Sequence, residues 1–414
     1  MANVCEGMGS FLRVAEIINS FDIGGGEVQL LALLERLKGR YALAVHALEV
    51  RGPLLAPLRA LGFEPEGHPL GGSLASRGAV RAIANLARAF RRDRIDLVHA
   101  HDFYSSFVAV PAARLAGAAI VVGRLDLGHL QSPPQRTVLA GITHAADAVV
   151  VNCEAIHRLV VDEERVPAER VTLIRNGIDL EAFDARRGTP LAAPLPDLGG
   201  RPSVVLVANM RHEVKRQEDF LHALALARRE RPELAGFLVG EGDRTPWLRS
   251  LAARLGLDGS TFFLGRRADV PAVLSRATIG VLVSSLEGLS NAVIEGMAAA
   301  LPMVVTDAGG NGELVKHGER GLVVPVADPE ALSRALLDLV RDPARARRLG
   351  AAGRSYVEAE LTLPRMVSGH ERVYQRVVSG RHGLAAALGR AGGAARQVAV
   401  GGIEFLRERM AGAR

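Results

Sequence analysis

The 414-residue sequence contains only two cysteines, Cys5 and Cys153, and its aromatic fraction is 4%. Two cysteines without metal-ligand spacing provide neither a zinc site nor a disulfide framework. The scarcity of aromatic residues argues against base-stacking platforms, because no segment interleaves Phe, Tyr or Trp with basic residues. We therefore expect no nucleic-acid partner, although a net charge of +6 suits phosphate-bearing ligands or an anionic membrane surface.

Long apolar runs are also missing, since none approaches the roughly 20 residues that span a bilayer. The N-terminus lacks the charged, apolar and small-residue pattern of a secretory signal, so we expect a cytoplasmic protein. Lysine is rare as well: the lysines among the 51 basic residues are Lys38, Lys215 and Lys316. Arginine is the usual cation of this chain, and a lysine in a loop can therefore mark a chemical requirement.

Short apolar runs recur along the chain with helix-like segments between them. One series lies between Phe11 and Ile174, and a second begins at Val204. This alternation predicts parallel sheets with helical crossovers, and hence two doubly wound α/β domains with a ligand cleft between them. The segment from Asp184 to Pro202 contains four prolines and three glycines and is expected to link the domains.

Three glycines, Gly24 to Gly26, stand between the first apolar run and a helix-like segment. Glycines at such a point let the backbone approach a ligand closely, although a triple glycine is equally typical of a plain turn. A dinucleotide fingerprint requires G-x-G-x-x-G, and Gln29 occupies the place of its last glycine. The stretch "GEGDRT" fails in the same way at Thr245, so a dehydrogenase is not favoured.

Two cations, Arg211 and Lys215, stand in "NMRHEVKRQ", between a strand-like run and a helix-like segment. Loops at the carboxyl ends of parallel strands bind ligands, and two cations there suit a diphosphate. A solvated basic face is the plainer interpretation, but the rarity of lysine favours a functional Lys215.

Glu287 and Glu295 lie eight positions apart in "EGLSNAVIE", after the apolar run "IGVLVSS". That run predicts a buried strand, which places Glu287 in the following loop, and either Ser290 or Asn291 can cap the next helix. The amides near Leu289, Ser290 and Asn291 would form an anion site at the helix N-terminus. Two carboxylates beside an anion site suit a ligand with hydroxyls on both sides of a diphosphate, which describes a nucleotide-sugar. Alone, two glutamates at this spacing carry little weight.

These segments resemble the family-4 retaining glycosyltransferases of the GT-B fold, through nearly the whole chain except its C-terminal tail. "EGLSNAVIE" resembles the E-x7-E signature of that family. The resemblance is also carried, in chain order, by "GGGE", "DLVHAHD", "IRNGIDLEAFD", "LVGEGD", "FFLGRRADVPAVL", "PMVVTDAGGNGELV" and "GLVVPVADPEAL". It implies an α/β fold of GT-B architecture, with two doubly wound Rossmann-like parallel-sheet domains facing a cleft.

The resemblance implies a role for the charged residues. Arg211 and Lys215 would bind the donor diphosphate, although many members space the corresponding pair differently. Glu287 would contact the donor sugar, and Glu295 would hold the ribose hydroxyls; with Lys215 and Arg211, Glu287 completes the expected catalytic group. Five further residues are expected to line the donor site: Gly25, Gly26, Leu289, Ser290 and Asn291.

The acceptor side of the cleft is less clearly marked. Many family members carry a histidine after the fourth strand of the first domain, where this sequence has Arg124 or Leu125. His101 and Asp102 follow a strand in "VHAHDFYSS", although a histidine at a strand end is structural as often as it is functional. We assign His101, Asp102 and Arg124 to the acceptor side.

The expected reaction transfers a sugar from a nucleotide-diphosphate-sugar to an acceptor hydroxyl with retention of the anomeric configuration. The nearby cations and the helix N-terminus can neutralise the departing diphosphate, and the sequence holds no Asp-x-Asp pair, so we expect neither a metal nor a cofactor. A reaction that retains the anomeric configuration can proceed by front-side displacement or through a carboxylate nucleophile. Two alternatives stay open: a nucleotide-sugar epimerase or phosphorylase on the same fold, and a non-catalytic nucleotide-sugar-binding scaffold.

The expected domains are residues 1–190 on the acceptor side, residues 191–360 on the donor side, and a helix over 361–378 that returns to the first domain. Residues 379–414 form a tail rich in glycine, alanine and arginine, with six arginines and two glutamates. A solvent-exposed helix is the plainer interpretation of this tail, and a contact with the anionic inner face of a membrane is the alternative. The expected acceptor is a sugar or lipid-linked sugar of cell-envelope or exported polysaccharide and glycolipid synthesis.

Overall fold

The computed structural model describes residues 11–72, 74–128 and 131–390. Within these ranges the chain forms two parallel sheets, one of seven strands and one of six, both packed against helices. The prediction of two doubly wound α/β domains is therefore confirmed. In the same ranges, no helix has the length and hydropathy that crossing a bilayer requires.

The first sheet consists of seven parallel strands: β1 (Arg13–Ile18), β2 (Ala42–Ala47), β3 (Glu66–Gly67), β4 (Leu97–Ala100), β5 (Ala119–Arg124), β6 (Ala148–Val151) and β7 (Val171–Leu173). Their order in space is β3-β2-β1-β4-β5-β6-β7. The helices that alternate with them are α1 (Gly25–Leu37), α2 (Leu55–Ala60), α3 (Arg77–Arg92), α4 (Phe103–Ala116), α5 (Pro133–Ala145), α6 (Glu154–Arg158) and α7 (Leu180–Arg187). The winding reverses between β1 and β4, and such a point opens a crevice at the carboxyl ends of the strands.

The second sheet contains six parallel strands: β8 (Ser203–Val207), β9 (Ala235–Val239), β10 (Thr261–Gly265), β11 (Ile279–Leu282), β12 (Met303–Thr306) and β13 (Leu322–Val324). Their order is β10-β9-β8-β11-β12-β13, so the corresponding crevice lies between β8 and β11. The helices of this region are α8 (Gln217–Glu230), α9 (Thr245–Arg254), α10 (Val270–Leu274), α11 (Asn291–Ala298), α12 (Asn311–Val315), α13 (Pro329–Arg341) and α14 (Pro343–Glu360).

Local sequence explains these elements. Strand β6 reads Ala-Val-Val-Val and is buried throughout, as expected for a parallel strand covered on both faces. Helix α4 begins at a capping box in which Asp102 Oδ1 accepts from the Ser105 amide at 3.0 Å. It ends at Gly117, whose φ of +80° favours glycine.

The predicted linker differs from the structure at its start. Residues 184–187 belong to α7, because Asp179 caps that helix by accepting from the Ala182 amide at 3.0 Å, and the helix continues to Arg187. Residues 188–202, which contain the prolines and glycines, form neither helix nor strand. The sequence pattern therefore placed the irregular segment four residues too early.

The last described helix, α15 (Leu363–Arg390), returns to the first sheet. Leu363, Val367 and Tyr374 are buried in a cluster with Val14 of β1 and Leu33 of α1. The tail predicted from residue 379 begins inside this helix, and residues 391–414 lie outside the described residues. The predicted membrane contact of the tail stays a prediction.

Candidate functional site

The loops after β8 and β11 bring Lys215 and Glu287 together. Lys215 Nζ forms an ion pair with Glu287 Oε1, and Ser284 Oγ donates to the same oxygen at 2.6 Å. Ser284 is fixed in turn by Thr306, whose Oγ1 accepts from the Ser284 amide at 2.9 Å and donates to its carbonyl at 2.6 Å. The predicted sugar-binding carboxylate is thus oriented by two side chains that sequence reasoning had not singled out.

Arg211 lies in the same loop as Lys215 but is exposed. No hydrogen bond or ion pair of its guanidinium occurs among the described residues, whereas the neighbouring Arg216 is paired with Asp219. The "LVGEGD" loop packs closely against this segment. Gly242 lies so near Met210 that a Cβ added to the glycine would stand 2.4 Å from the Met210 carbonyl oxygen. Arg211 is therefore the cation of this loop whose charge is available to a ligand.

The N-terminus of α11 is the predicted anion site. Ser290 is the N-cap, and its Oγ accepts from the Val293 amide at 3.5 Å, which resolves the choice between Ser290 and Asn291. Leu289 is buried just before the cap. The amides of the first turn thus stand at the carboxyl end of β11, beside the Lys215–Glu287 ion pair.

Glu295 lies one turn into α11 and is half-buried. Burial raises the pKa of this carboxyl to about 7, and Arg186 opposes the rise. Its side chain has no hydrogen bond or ion pair within the described part of the chain. A half-buried carboxyl group without a protein partner can accept hydrogen bonds from a ligand.

The side chain of Asn291 joins the two domains. Its Nδ2 donates to the Gly25 carbonyl at 3.2 Å, and its Oδ1 accepts from Asn176 at 2.8 Å and from Gln29 at 3.2 Å. Gln29 also forms a reciprocal pair with the Gly177 backbone, with both distances at 3.1 Å. These side-chain contacts hold the glycine loop against α11. The binding of the donor by Asn291 stays a prediction.

The glycine loop faces Leu125 rather than Arg124. A Cβ on Gly26 would lie 3.6 Å from Leu125 Cδ1, and Gly25 is exposed beside Asn291. Arg124 is 4% exposed and points into the first domain, where it binds Glu164 at 2.7 and 2.8 Å. The structure therefore does not bring Arg124 to the cleft, in contrast to its predicted acceptor-side position.

His101 belongs to a buried polar cluster. Its Nε2 donates to Glu16 Oε2 at 2.6 Å, and Tyr374 of α15 donates to Glu16 Oε1 at 2.9 Å while accepting from His99 Nδ1 at 2.7 Å. Burial raises the pKa of Glu16, but His99 and His101 outweigh it and hold that pKa well below its usual range. Burial and the neighbouring His101 lower the pKa of His99 to about 4.

His101 also borders a cavity of about 30 Å³ beneath the glycine loop, lined by Gly26, Leu125, Asn176 and His370 among others. Asp102, by contrast, is engaged on both oxygens. Besides capping α4, it accepts from the Asn19 amide at 2.7 Å. Of the three residues assigned to the acceptor side, His101 is therefore the one that the structure places next to the predicted site.

Sequence reasoning missed a further carboxyl group at this edge, Glu27 in the first turn of α1. Its side chain folds back over Gly24, where an added Cβ would stand 2.3 Å from Glu27 Oε2. Burial raises the pKa of Glu27 to about 7, with Asp102 and Asp22 contributing in the same direction. Its place in "GGGE", directly after the glycine run, was the available signal.

Comparison with known proteins gives two family matches. A model described as "Glycosyltransferase Family 4" matches residues 23–182, and one described as "Glycosyl transferases group 1" matches residues 201–342. A GDP-mannose-dependent alpha-(1-6)-phosphatidylinositol monomannoside mannosyltransferase of Mycobacterium tuberculosis is 29% identical over 370 residues, covering 84% of this chain and 94% of that protein. A glycogen synthase of the same organism is 27% identical over 293 residues, covering 68% and 69%.

Among solved structures, HepE from Anabaena in complex with UDP and glucose superposes with a TM-score of 0.78 at 20% identity. The match covers 88% of this chain and 100% of that one. At this identity the likeness concerns the fold, which is the GT-B architecture. The family matches support a family-4-like glycosyltransferase.

Proposed function

Starting from a transferase of the family-4 glycosyltransferase type, we propose that this chain moves a sugar from a nucleotide-diphosphate-sugar to an acceptor hydroxyl with retention of the anomeric configuration. One observation carries the proposal. The loops after β8 and β11 join Lys215 to Glu287 at the crevice of the second sheet, and Glu295, eight positions further on, keeps its carboxyl group without a protein partner in the described ranges.

The ion pair explains how a donor would be received. Without a ligand, Glu287 neutralises Lys215, so neither charge is left unpaired in a partly buried place. A diphosphate would compete for the Lys215 ammonium, with Arg211 and the first amides of α11 as further partners. Glu287, still held by Ser284, would then be available to accept hydrogen bonds from the sugar hydroxyls.

The same groups act during transfer. Departure of the nucleoside diphosphate develops negative charge on its oxygens, and fixed cations and amides stabilise that charge most strongly where water is excluded. Lys215 and Arg211 supply the positive charge, and we assign no metal to this step. Glu295 would hold the ribose hydroxyls one helical turn away, which fixes the nucleotide while the sugar reacts.

The acceptor is proposed only as a class. The mannosyltransferase and the glycogen synthase that resemble this chain are named for very different products, so their acceptors do not transfer to it. We propose a sugar or lipid-linked sugar, used in envelope or exported polysaccharide and glycolipid synthesis, that approaches from the first-domain edge near His101.

The proposal is tested by calorimetric titration of chelator-treated protein with UDP, GDP, ADP and CDP. We expect micromolar binding of one nucleotide without divalent metal, and loss of that binding in Glu295→Ala. The matching nucleotide-sugar is then incubated with candidate acceptors, and NMR of the product reads its anomeric configuration. Absence of binding with and without magnesium, or conversion of the nucleotide-sugar into its epimer without an acceptor, would contradict the proposal.

A further inference from the structure

The outer edge of the first sheet holds three side chains that the proposed reaction does not use: His46 on β2, Glu66 on β3, and His68 two residues later. The strand register places His46 directly beside Glu66. Because side chains alternate along a strand, Glu66 and His68 share one face. One potential ligand atom from each residue lies within 4.8 Å of the other two.

The spacing of these atoms matches a metal centre. His46 Nδ1 and His68 Nε2 are 3.1 Å apart, and Glu66 Oε1 is 3.8 Å from His68 Nε2. Two nitrogens bound to one tetrahedral zinc ion at about 2.0–2.1 Å are about 3.3 Å apart. The two imidazoles therefore already have the separation that such an ion requires, and the carboxylate needs only a small shift.

His46 Nδ1 and His68 Nε2, which face each other, are the inner nitrogens of the two rings, and both can bind one cation. The hydrogen bond between them needs one donor and one acceptor, so at least one inner nitrogen already presents its lone pair. The outer nitrogens, His46 Nε2 and His68 Nδ1, are buried and have no partner in the described ranges. The proton of the inner hydrogen bond can move to the outer nitrogen of the same ring, which changes only the tautomer of that ring. Both inner nitrogens then have a lone pair for the cation, and no proton leaves the site.

The surroundings of the group supply a supporting contact and an entrance. Arg92 holds Glu66 through Oε2 at 2.7 Å, which leaves Oε1 facing His68. Hydrogen bonds of this kind orient the carboxylates of metal centres. A cavity of about 320 Å³ borders Glu66 and His68 and is also lined by Asn85 and Arg88. A cation therefore has an approach path and room for a non-protein ligand.

A second group of similar composition, Glu16 with His99 and His101, fits a cation less well. Both carboxylate oxygens of Glu16 already accept hydrogen bonds, from His101 and from Tyr374, and the carboxylate is fully buried. A cation there would have to displace these bonds. At the sheet edge, Glu66 Oε1 accepts no such bond from the described residues.

We propose that His46, Glu66 and His68 form a binding site for a divalent transition-metal cation, with Zn²⁺ the best-fitting ion. Two imidazoles and one carboxylate suit zinc and its neighbours, whereas Mg²⁺ prefers oxygen ligands alone. The site is separate from the donor crevice. Its cation ties β2 to β3, an edge strand of only two residues.

The test uses the full-length protein after chelator treatment. Zn²⁺ is titrated against a chromophoric chelator, and the melting temperature is followed in parallel. We expect one equivalent per chain and a melting temperature that rises with Zn²⁺ concentration. His46→Gln should lose the bound equivalent, and Glu66→Gln should weaken binding by more than the roughly 10- to 100-fold that loss of an outer-shell partner costs. The side chain of Glu66 is partly exposed, so Glu66→Gln should fold even if His46→Gln does not, and it then decides the test.

His222→Gln, at an exposed histidine on α8, is the matched control and should bind Zn²⁺ as the original protein does. His101→Gln alters the second group, at Glu16, and should also leave Zn²⁺ binding unchanged. Absence of an equivalent in the original protein, or unchanged affinity in both edge variants, would overturn the proposal. A loss seen with His101→Gln alone would place the cation at Glu16 and overturn it too.

Discussion

The residues predicted for the two sides of the cleft differ in how completely they are paired: on the donor side Lys215 and Glu287 pair with each other, but other groups stay unpaired within the described ranges. On the donor side, Arg211 and Glu295 have no side-chain partner among the described residues. On the acceptor side, His101, Asp102 and Arg124 are each hydrogen-bonded inside the first domain. A buried polar group requires a hydrogen-bond partner, and an exposed charge is solvated by water that a ligand can displace, so groups without a protein partner can be paired by a ligand. Under the proposed function, the unpaired groups would be the ones that receive the donor, whereas the three groups assigned to the acceptor side hold their own domain together.

Arg124→Met is the variant with the largest expected effect, and it tests whether Arg124 serves its own domain rather than the cleft. The change leaves Glu164 without its partner in a mostly buried ion pair, and we expect the free energy of unfolding to fall by about 3 to 5 kcal/mol. Nucleotide affinity of the folded protein should not change, because Arg124 does not reach the cleft. Chemical denaturation and calorimetry measure the two quantities, and Arg81→Met, at an exposed site on α3, is the control. Normal stability with lost transfer would return Arg124 to the acceptor site.

Lys215→Ala tests the donor side. Removing the ammonium leaves the departing diphosphate with less positive charge, and we expect kcat/KM to fall about 100- to 1000-fold. The rate of nucleotide-sugar consumption measures the effect. Lys316→Ala provides a matched control, because that lysine is exposed and pairs with Glu319. A similar loss in both variants would remove the special role of Lys215.

Glu295→Gln should separate binding from stability. The pKa of Glu295 is about 7 in the folded protein, above the ordinary 4.5. The stability that the protonated carboxyl group contributes is therefore fully present below pH 4.5 and is lost as the pH rises through 7. Glutamine resembles the protonated form, so at pH 8 the variant should be more stable by about 1 to 3 kcal/mol, with little difference at pH 4.5. Thermal unfolding at the two pH values measures this.

The same variant should bind nucleotide more weakly at pH 8, by about 1.5 to 3 kcal/mol, because a charged acceptor of the ribose hydroxyls is lost. Calorimetric titration of both proteins gives the difference. Unchanged affinity would remove Glu295 from the ribose site, even if the stability effect were present.

The smallest effect is expected for Tyr374→Phe. The change removes one donor to the ionised Glu16, and we expect the free energy of unfolding to fall by about 1 to 2 kcal/mol with unchanged nucleotide affinity. Tyr104→Phe is the control, since that ring is 41% exposed. A clear loss of nucleotide binding in Tyr374→Phe alone would show that the buried cluster also shapes the donor side.

The sequence predicted features that follow from strand ends and helix starts. Lys215 and Glu287 could be expected close together, because each follows a buried strand and parallel strands end at one edge. The α/β class and the return of the last helix were predictable for similar reasons of pattern and resemblance. In each case the local sequence and the topology point to the same arrangement.

Contacts between distant segments could not be predicted in this way. Asn291 could serve as an N-cap or as a ligand-binding residue, and its engagement with Gln29 and Asn176 depends on how the domains meet. Arg124 stands at a strand end, yet its guanidinium turns to Glu164, a partner forty positions away. Which partner a long side chain selects depends on packing, and a periodic pattern contains no information about it.

The return of α15 has a consequence for the order in which the protein matures during synthesis. Glu16 lies in β1, the first strand among the described residues, but its partner Tyr374 is translated 358 positions later. Until then, the nascent first domain has Glu16 without one of its hydrogen-bond donors and an apolar surface without its covering helix. Although N-terminal domains generally fold first on the ribosome, this one is completed only after the whole second domain has emerged.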